Sequence, residues 1–285
     1  MSDEKRAKNT TADGLAEKGS KRWMQKIANP TSTDFVRDTD YMQLQAYKKC
    51  LEYELSNSEG ELEWVSPRLN ENYHEYRLNE INHGYELNEI KRKNIRREIL
   101  ELDDTNFKTY FKFWPSKGHP VWDAIALSAD KTELFLFEAK AHIKEMETKC
   151  GSKSTENRNI IEKAMFEACK YFSVDSVDVN RAVKDIWMEK YYQLGNRLTF
   201  LYYMNNYGKN RDIVLPKIKK ITLVLLNIVN DKYGKTGITD WENYYSMVFQ
   251  EMTGYNIPPQ DVKILKDVEV LKDVKVLFIP NGEQT

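Results

Sequence analysis

GHPVWDAIALSADKTELFLFEAKAHIKE, residues 118–145, is the stretch on which the fold turns. Residues 121–127 form a short apolar run, residues 128–133 (SADKTE) are polar, and residues 134–142 are apolar again apart from Glu138, Lys140 and His142. Two such runs around a polar turn predict a β-hairpin. Both arms are apolar at nearly every position, which suits a sheet covered on both faces. With the turn centred on Asp130 and Lys131, opposed residues have numbers that sum to 261, and Asp123 and Glu138 meet that condition. Directly opposed residues share a face, with Cβ atoms ~5 Å apart. Lys140, two positions beyond Glu138, keeps the same face, as do Ile125, Leu127, Leu134 and Leu136. A slip of one residue would scatter the group.

Two opposed carboxylates among aliphatic side chains repel each other and lose hydration, so the patch needs compensation. Lys140 supplies part of it, and a divalent cation would supply more. Mg²⁺ takes a carboxylate or two together with water and substrate phosphate. Such an ion activates water and stabilises charge on a phosphate oxygen. A lysine that is partly desolvated beside a metal has a lowered pKa and can hold or help deprotonate the attacking water. The bland alternative is a buried structural ion cluster in an unrelated α/β protein.

Outward from the hairpin, residues 40–56 read as a helix through Leu44, Tyr47, Leu51 and Leu55. Residues 57–84, with Gly60, Pro67 and Gly84, suggest loops and short pieces. Residues 85–102 carry a second helical pattern. Residues 107–114 alternate Phe107, Thr109, Phe111 and Phe113 with Lys108, Tyr110 and Lys112, which predicts a first strand ahead of the hairpin. Downstream, residues 156–172 predict a helix capped by Ser154 or Thr155, and residues 181–206 a longer one with a stripe of Val183, Trp187, Leu194, Leu198 and Leu201. Residues 220–229 and 274–279 predict strands, and 241–254 a helix between them. VKILKD, VEVLKD and VKVLF succeed one another from Val262 to Phe278, a local duplication without an evident role. The order is helix, three strands, two helices, strand, helix, strand, an α/β fold in which an antiparallel hairpin feeds a mixed β-sheet flanked by helices.

Asp123, followed on the next strand by Glu138-Ala139-Lys140, resembles the PD-(D/E)xK nuclease superfamily, the restriction-endonuclease-like group of nucleases, exonucleases and junction resolvases. The resemblance covers roughly half the chain. The core of that group is helix, three strands, helix, strand, which aligns with residues 85–142 followed by 156–229. It implies that Asp123, Glu138 and the backbone carbonyl of Ala139 bind Mg²⁺ or Mn²⁺, and that Lys140 positions the water. It implies a metal-dependent nuclease acting on phosphodiester bonds, most readily in DNA, with homodimers common where both strands are cut. The residue before Asp123 is Trp122 rather than the group's proline. The alternative within the same fold is a catalytically silent nucleic-acid- or protein-binding module.

Members of this group often add a glutamine or lysine from a helix after the hairpin, and Gln193 is the candidate, weighed against a partly exposed surface glutamine. For an added first-helix acid, Glu54, Glu86, Glu89 and Glu98 stay open, each more simply a solvated residue. His119 and His142 flank the motif and read more simply as locally bonded histidines. Lys91, Arg92, Lys93, Arg96 and Arg97 suit either phosphate contacts or an ordinary charged helix surface. Lys144, Lys149 and Lys153 follow the site, diluted by Glu145 and Glu147. Tyr191, Tyr192, Tyr202 and Tyr203 suit base stacking or, at helical spacing, core.

The 285 residues, 41% hydrophobic and 31% charged, suit a globular domain with a charged surface. Residues 1–35 read as a polar, flexible tail and residues 36–285 as one nuclease-like domain. No apolar run is long enough for a membrane span, and three unpatterned cysteines (Cys50, Cys150, Cys169) suit a reducing cytoplasm. Net charge is −1, so any contact with a polyanion must come from local charge placement.

Overall fold

The computed structural model describes residues 14–29, 32, 41–56, 61–69, 72–78, 111–206, 217–267 and 269–280. Strands β1 (Glu63–Ser66), β2 (Ala124–Leu127) and β3 (Glu133–Lys140) pair antiparallel in succession. Strand β4 (Lys220–Val229) lies parallel to β3, and β5 (Val274–Pro280) parallel to β4. Among the described residues the result is an α/β protein on a five-stranded, open, mixed sheet in sequence order.

The hairpin register is the one the sequence predicts. Ala124 opposes Phe137 and Ile125 opposes Leu136. The Ser128 amide donates to the Glu133 carbonyl (2.9 Å) and the Asp123 amide to the Phe137 carbonyl (3.1 Å), so one ladder runs from the turn to Asp123. The turn is closed by Asp130, whose carboxylate accepts from Ser128 Oγ (2.6 Å) and the Thr132 amide (3.1 Å), with Lys131 at φ 60°.

Alternate strand residues feed two separate cores, as a doubly covered sheet requires. Ile125, Leu127, Leu134, Leu136, Leu223 and Leu225 face the larger core, with α3 (Thr155–Phe172), α4 (Tyr192–Asn206) and α5 (Ile238–Thr253) packed on it. Ala126, Phe135, Phe137, Val224 and Leu226 face the smaller core, covered by α1 (Gly19–Ala28) and α2 (Tyr41–Ser56). Helix α3 starts at Ser154, whose hydroxyl accepts from the Asn157 amide (3.3 Å), and it buries Ile161, Met165, Ala168 and Phe172 at helical spacing.

Three expectations need correction. Residues 1–35 are not a tail throughout, because α1 lies within them and buries Trp23, Met24 and Ile27 against the sheet. Among the described residues the first strand is β1, and residues 111–114 are not strand. Phe111–Trp114 form a turn closed from the Trp114 amide to the Phe111 carbonyl (3.1 Å), and residues 107–110 lie outside the described set. The aromatic alternation there serves packing onto α4: Phe113 stacks on Tyr203 at 4.0 Å and meets Phe200 edge-on at 5.2 Å. The long helix over 181–206 is broken. A short turn, Val179–Arg181, runs into a π-helical segment, Ala182–Trp187, and α4 begins only after Tyr191 bridges to Thr148.

The helix expected over residues 85–102 lies outside the described residues. The duplication near the C-terminus is not structural, since its first two segments belong to 3₁₀ turns and the third is β5. Among the described residues no helix is long and apolar enough to cross a membrane.

Candidate active site

Asp123 stands immediately before β2, while Glu138 and Lys140 end β3 on the face of Ile125 and Leu136. Because β2 runs against β3, its start and the end of β3 lie at one edge of the sheet. There β3 and β4 terminate side by side, the position where open α/β sheets bind ligands. Asp123, Glu138 and Lys140 are 7%, 3% and 6% exposed, and all three line one cleft of about 1100 Å³. Only a group entering that cleft can reach them.

The three side chains are tied together. Asp123 Oδ2 accepts from the Ala139 amide (2.8 Å), which fixes the carboxylate beside Glu138. Lys140 Nζ donates to Glu138 Oε1 and to Gln193 Oε1, the latter at 3.1 Å. Gln193 therefore reaches the same cluster, from the first turn of α4. Its own amide donates to Thr148 Oγ1 (2.8 Å), so the bridge that starts α4 also places it.

Arg197, one turn further along α4, is the residue that sequence reading missed. Its Nε donates to Glu138 Oε2 (2.7 Å) and Nη2 approaches the same oxygen (2.6 Å). Nη2 also donates to the Val121 carbonyl (2.9 Å), Nη1 to Asn196 Oδ1 (3.0 Å), and the guanidinium lies 4.8 Å from the centre of the Trp122 ring. Trp122 thus holds the cation that faces Glu138. A signal was present, because Arg197 falls on the buried stripe of Leu194, Leu198 and Leu201, where a charge needs a partner. A second missed residue is Glu75, buried in the segment before the hairpin and 3.6 Å from Lys21.

These placements separate the two carboxylates electrically. Burial pushes Asp123 up to about 7, helped by the charges of Glu138 and Glu75 and opposed by Lys140 and the Ala139 amide. Burial would also raise Glu138, but the Arg197 and Lys140 cations outweigh it and hold that carboxyl below its ordinary range. At neutral pH Glu138 is an anion and Asp123 is near its midpoint.

The other candidates divide. His119 lines the cleft, wedged against Phe111 and Phe200, and burial together with the Arg77 charge lowers it to about 4, so it is neutral. His142 lines the cleft and sits 3.3 Å from Glu145. Lys144, Lys149 and Tyr192 line the wall, whereas Lys153 does not. Tyr191 is fully buried, and Tyr202 and Tyr203 pack on the core. Glu54 is exposed on α2 away from the site; its buried neighbour Glu52 accepts from Trp64 Nε1 (3.2 Å). Glu86, Glu89 and Glu98 and the basic cluster of residues 91–97 lie outside the described residues.

Among the described residues no group of three or more His, Cys, Asp or Glu is gathered for a metal ion. The donors at hand are two carboxylates and, between the cationic side chains, the backbone of Ala139. The acidic pair at Asp123 fits a cation, since a positive charge would offset the burial and the repulsion that keep a proton on Asp123. Glu138 fits less simply, because Lys140 and Arg197 already engage both of its oxygens. Compared with family models, curated proteins and solved structures, the chain matches none.

Proposed function

We propose that this chain is a metal-dependent phosphodiesterase of the PD-(D/E)xK kind, cutting nucleic acid, with DNA the first substrate to test. The observation that carries the reading is the convergence of Asp123, Glu138, Lys140 and Gln193 at the floor of one cleft. The order α2, β1–β3, α3, β4 supports it, being helix, three antiparallel strands, helix and strand. In this reading Asp123, Glu138 and the Ala139 carbonyl hold Mg²⁺ or Mn²⁺. The ion would supply charge stabilisation at the phosphate and a more acidic water.

The chain's own groups do the rest. Lys140, held between Glu138 and Gln193, presents its ammonium where a water can be oriented toward phosphorus. Gln193 restricts that side chain to one direction. Arg197 keeps Glu138 ionised and fixed, so positioning costs no reorganisation during the reaction. Lys144 and Lys149 line the path by which a polyanion enters.

Nicking of plasmid or single-stranded DNA should need Mg²⁺ or Mn²⁺, stop with chelator, and fall by at least about 10²-fold in Asp123→Ala, Glu138→Ala and Lys140→Ala, within the range for losing a principal catalytic group. Cleavage that survives all three substitutions sinks the assignment. A second reading draws on the occupied oxygens of Glu138: a silent binding module in which Arg197 takes the place of the cation. Folded protein that binds nucleic acid without cutting it under any divalent ion favours that reading.

A further inference from the structure

Beyond the acids, the cleft carries an exposed aromatic ring on a stiff support. Tyr233 lies in the loop after β4 and lines the same cleft as Asp123 and Lys140, yet it is 55% exposed. A lone exposed tyrosine is ordinary on a protein surface; this one is set apart by how its loop is held and by what surrounds the ring. The loop holds the ring in place. Asp231, buried, accepts from Trp23 Nε1 of α1 (2.9 Å) through Oδ1 and from the Tyr233 amide (3.0 Å) through Oδ2. The Gly234 amide donates to the Asp231 carbonyl (3.0 Å), and Asn230, at φ 56°, closes the loop by donating its amide to the Thr236 carbonyl (2.8 Å). Gly234 passes so close to His142 that an added Cβ would lie 2.5 Å from the His142 Cβ. His142 is two residues beyond Lys140, so the loop is braced against the strand that carries the site.

The ring sits among cations. Lys232 Nζ is 4.9 Å and Lys18 Nζ 5.3 Å from its centre, and Lys18 and Lys21 line the cleft beside it. Both ammonium groups lie over the ring, so a base that stacks there takes a face from one of them and leaves that cation to the adjoining phosphate, the combination of ring and cation by which proteins hold a single polynucleotide strand. The cleft volume, about 1100 Å³, is just above the range of roughly 300–1,000 Å³ seen for small-molecule sites, enough for a short run of one strand. The acids at its floor are 7% and 3% exposed, so a scissile phosphate has to leave the surface of a stiff duplex to reach them.

We infer that Tyr233, with Lys18 and Lys232, forms a base-stacking platform that admits single-stranded polynucleotide to the Asp123–Glu138–Lys140 site. This deepens the nuclease reading and rests on it for the purpose of the cleft. The platform itself is tested by binding without turnover. The full chain in chelator is titrated with fluorescent dT₂₀, rU₂₀ and a 20-base-pair duplex, reading anisotropy; probe lengths are about 20 nucleotides to exceed the 4–16 of common single-strand sites.

Single strands should bind more tightly than the duplex, and Tyr233→Ala should weaken them about tenfold while Tyr233→Phe restores binding. Lys232→Ala should flatten the log–log salt dependence by about 0.7. Tighter binding of dT₂₀ than rU₂₀ identifies DNA as the strand recognised, and the reverse identifies RNA; either order upholds the platform. Tyr233→Ala binding within twofold of the parent, or a duplex bound as tightly as a single strand, overturns it. Because binding is read without a divalent ion, Tyr233-dependent binding in chelator together with no cleavage once Mg²⁺ or Mn²⁺ is supplied condemns the catalytic reading alone.

Discussion

At Asp123, burial, Glu138 and Glu75 all act against ionisation, and the consequence is a stability that depends on pH. The carboxyl is pushed from 3.8 to about 7 in the folded chain. Below pH 3.8 it is protonated both folded and unfolded and costs nothing. Between 3.8 and 7 the unfolded chain releases the proton while the folded chain keeps it, so this group lowers stability as pH rises through that window. Above about 7 the full penalty is present. Asp123→Asn keeps an oxygen for the Ala139 amide and removes the charge, so its Tm should fall less between pH 4 and 8 than that of the parent. At pH 8, Mn²⁺ should raise the parent's Tm by several degrees and leave Asp123→Asn unmoved, since only the parent gains a ligand. Equal pH profiles in thermal melts would show that Asp123 is not strained. The trio itself was legible because a hairpin converts sequence distance into contact by a fixed sum. Arg197 was signalled only as a charge on a buried stripe; its partner was not, because Glu138 lies 59 residues away and only the folded sheet brings α4 over it.

The helix that delivers Gln193 and Arg197 depends on one close approach. Gly195 lies between them, and a Cβ added there would meet Trp187 Cε3 at 3.0 Å, Trp187 Cβ at 3.4 Å and Met165 Cε at 3.5 Å. An alanine gains about 1 kcal/mol in helix propensity over glycine. Overpacking a core costs about 1–3 kcal/mol, and the cost is smallest where the neighbour can turn aside. Trp187 cannot, because it is fully buried and its Nε1 donates to the Met252 carbonyl (2.9 Å). Gly195→Ala should therefore lower stability by about 1 kcal/mol net and reduce cleavage more than stability, through displacement of α4. A Tm at or above that of the parent would show that propensity wins. The same element exposes a limit of reading by pattern. The apolar stripe over 181–206 is continuous in sequence, but the backbone leaves the helix at Met188 to pair Thr148 with Tyr191 and resumes at Tyr192. β1 was equally hidden, since EWVS is four residues long and shows no alternation long enough to stand out from a loop. The ten-residue KITLVLLNIV of β4 was legible because its β-branched residues favour a buried strand over a buried helix.

Across the whole molecule, the sheet needs cover on both faces, and the cover on the second face comes partly from the N-terminal segment. Phe135, Phe137, Val224 and Leu226 point away from α3, α4 and α5 and would meet water without α1 and α2. Composition hid this, because α1 (GSKRWMQKIA) carries only a narrow apolar edge among lysines and arginine. That edge is Trp23, Met24 and Ile27, at three- and four-residue spacing, with Met24 and Ile27 at 0% exposure. The same helix reaches the cleft through the Trp23–Asp231 bond, so the N-terminal segment links core to site. Met24→Ala should cost about 2–5 kcal/mol, the range for emptying a filled core position, whereas a residue in a loose tail would cost close to nothing. Urea melts of the two proteins decide it, with the midpoint moving and the slope unchanged if the loss lies in the folded state. Trp23→Phe separates the two duties of the helix. It keeps most of the buried ring but leaves buried Asp231 Oδ1 without its donor, so stability should fall by about 1–3 kcal/mol. Single-strand affinity should fall with it, as the loop bearing Tyr233 loses its anchor. An unchanged midpoint in Met24→Ala would return α1 to the status of a tail and leave the second face of the sheet without the layer assigned to it.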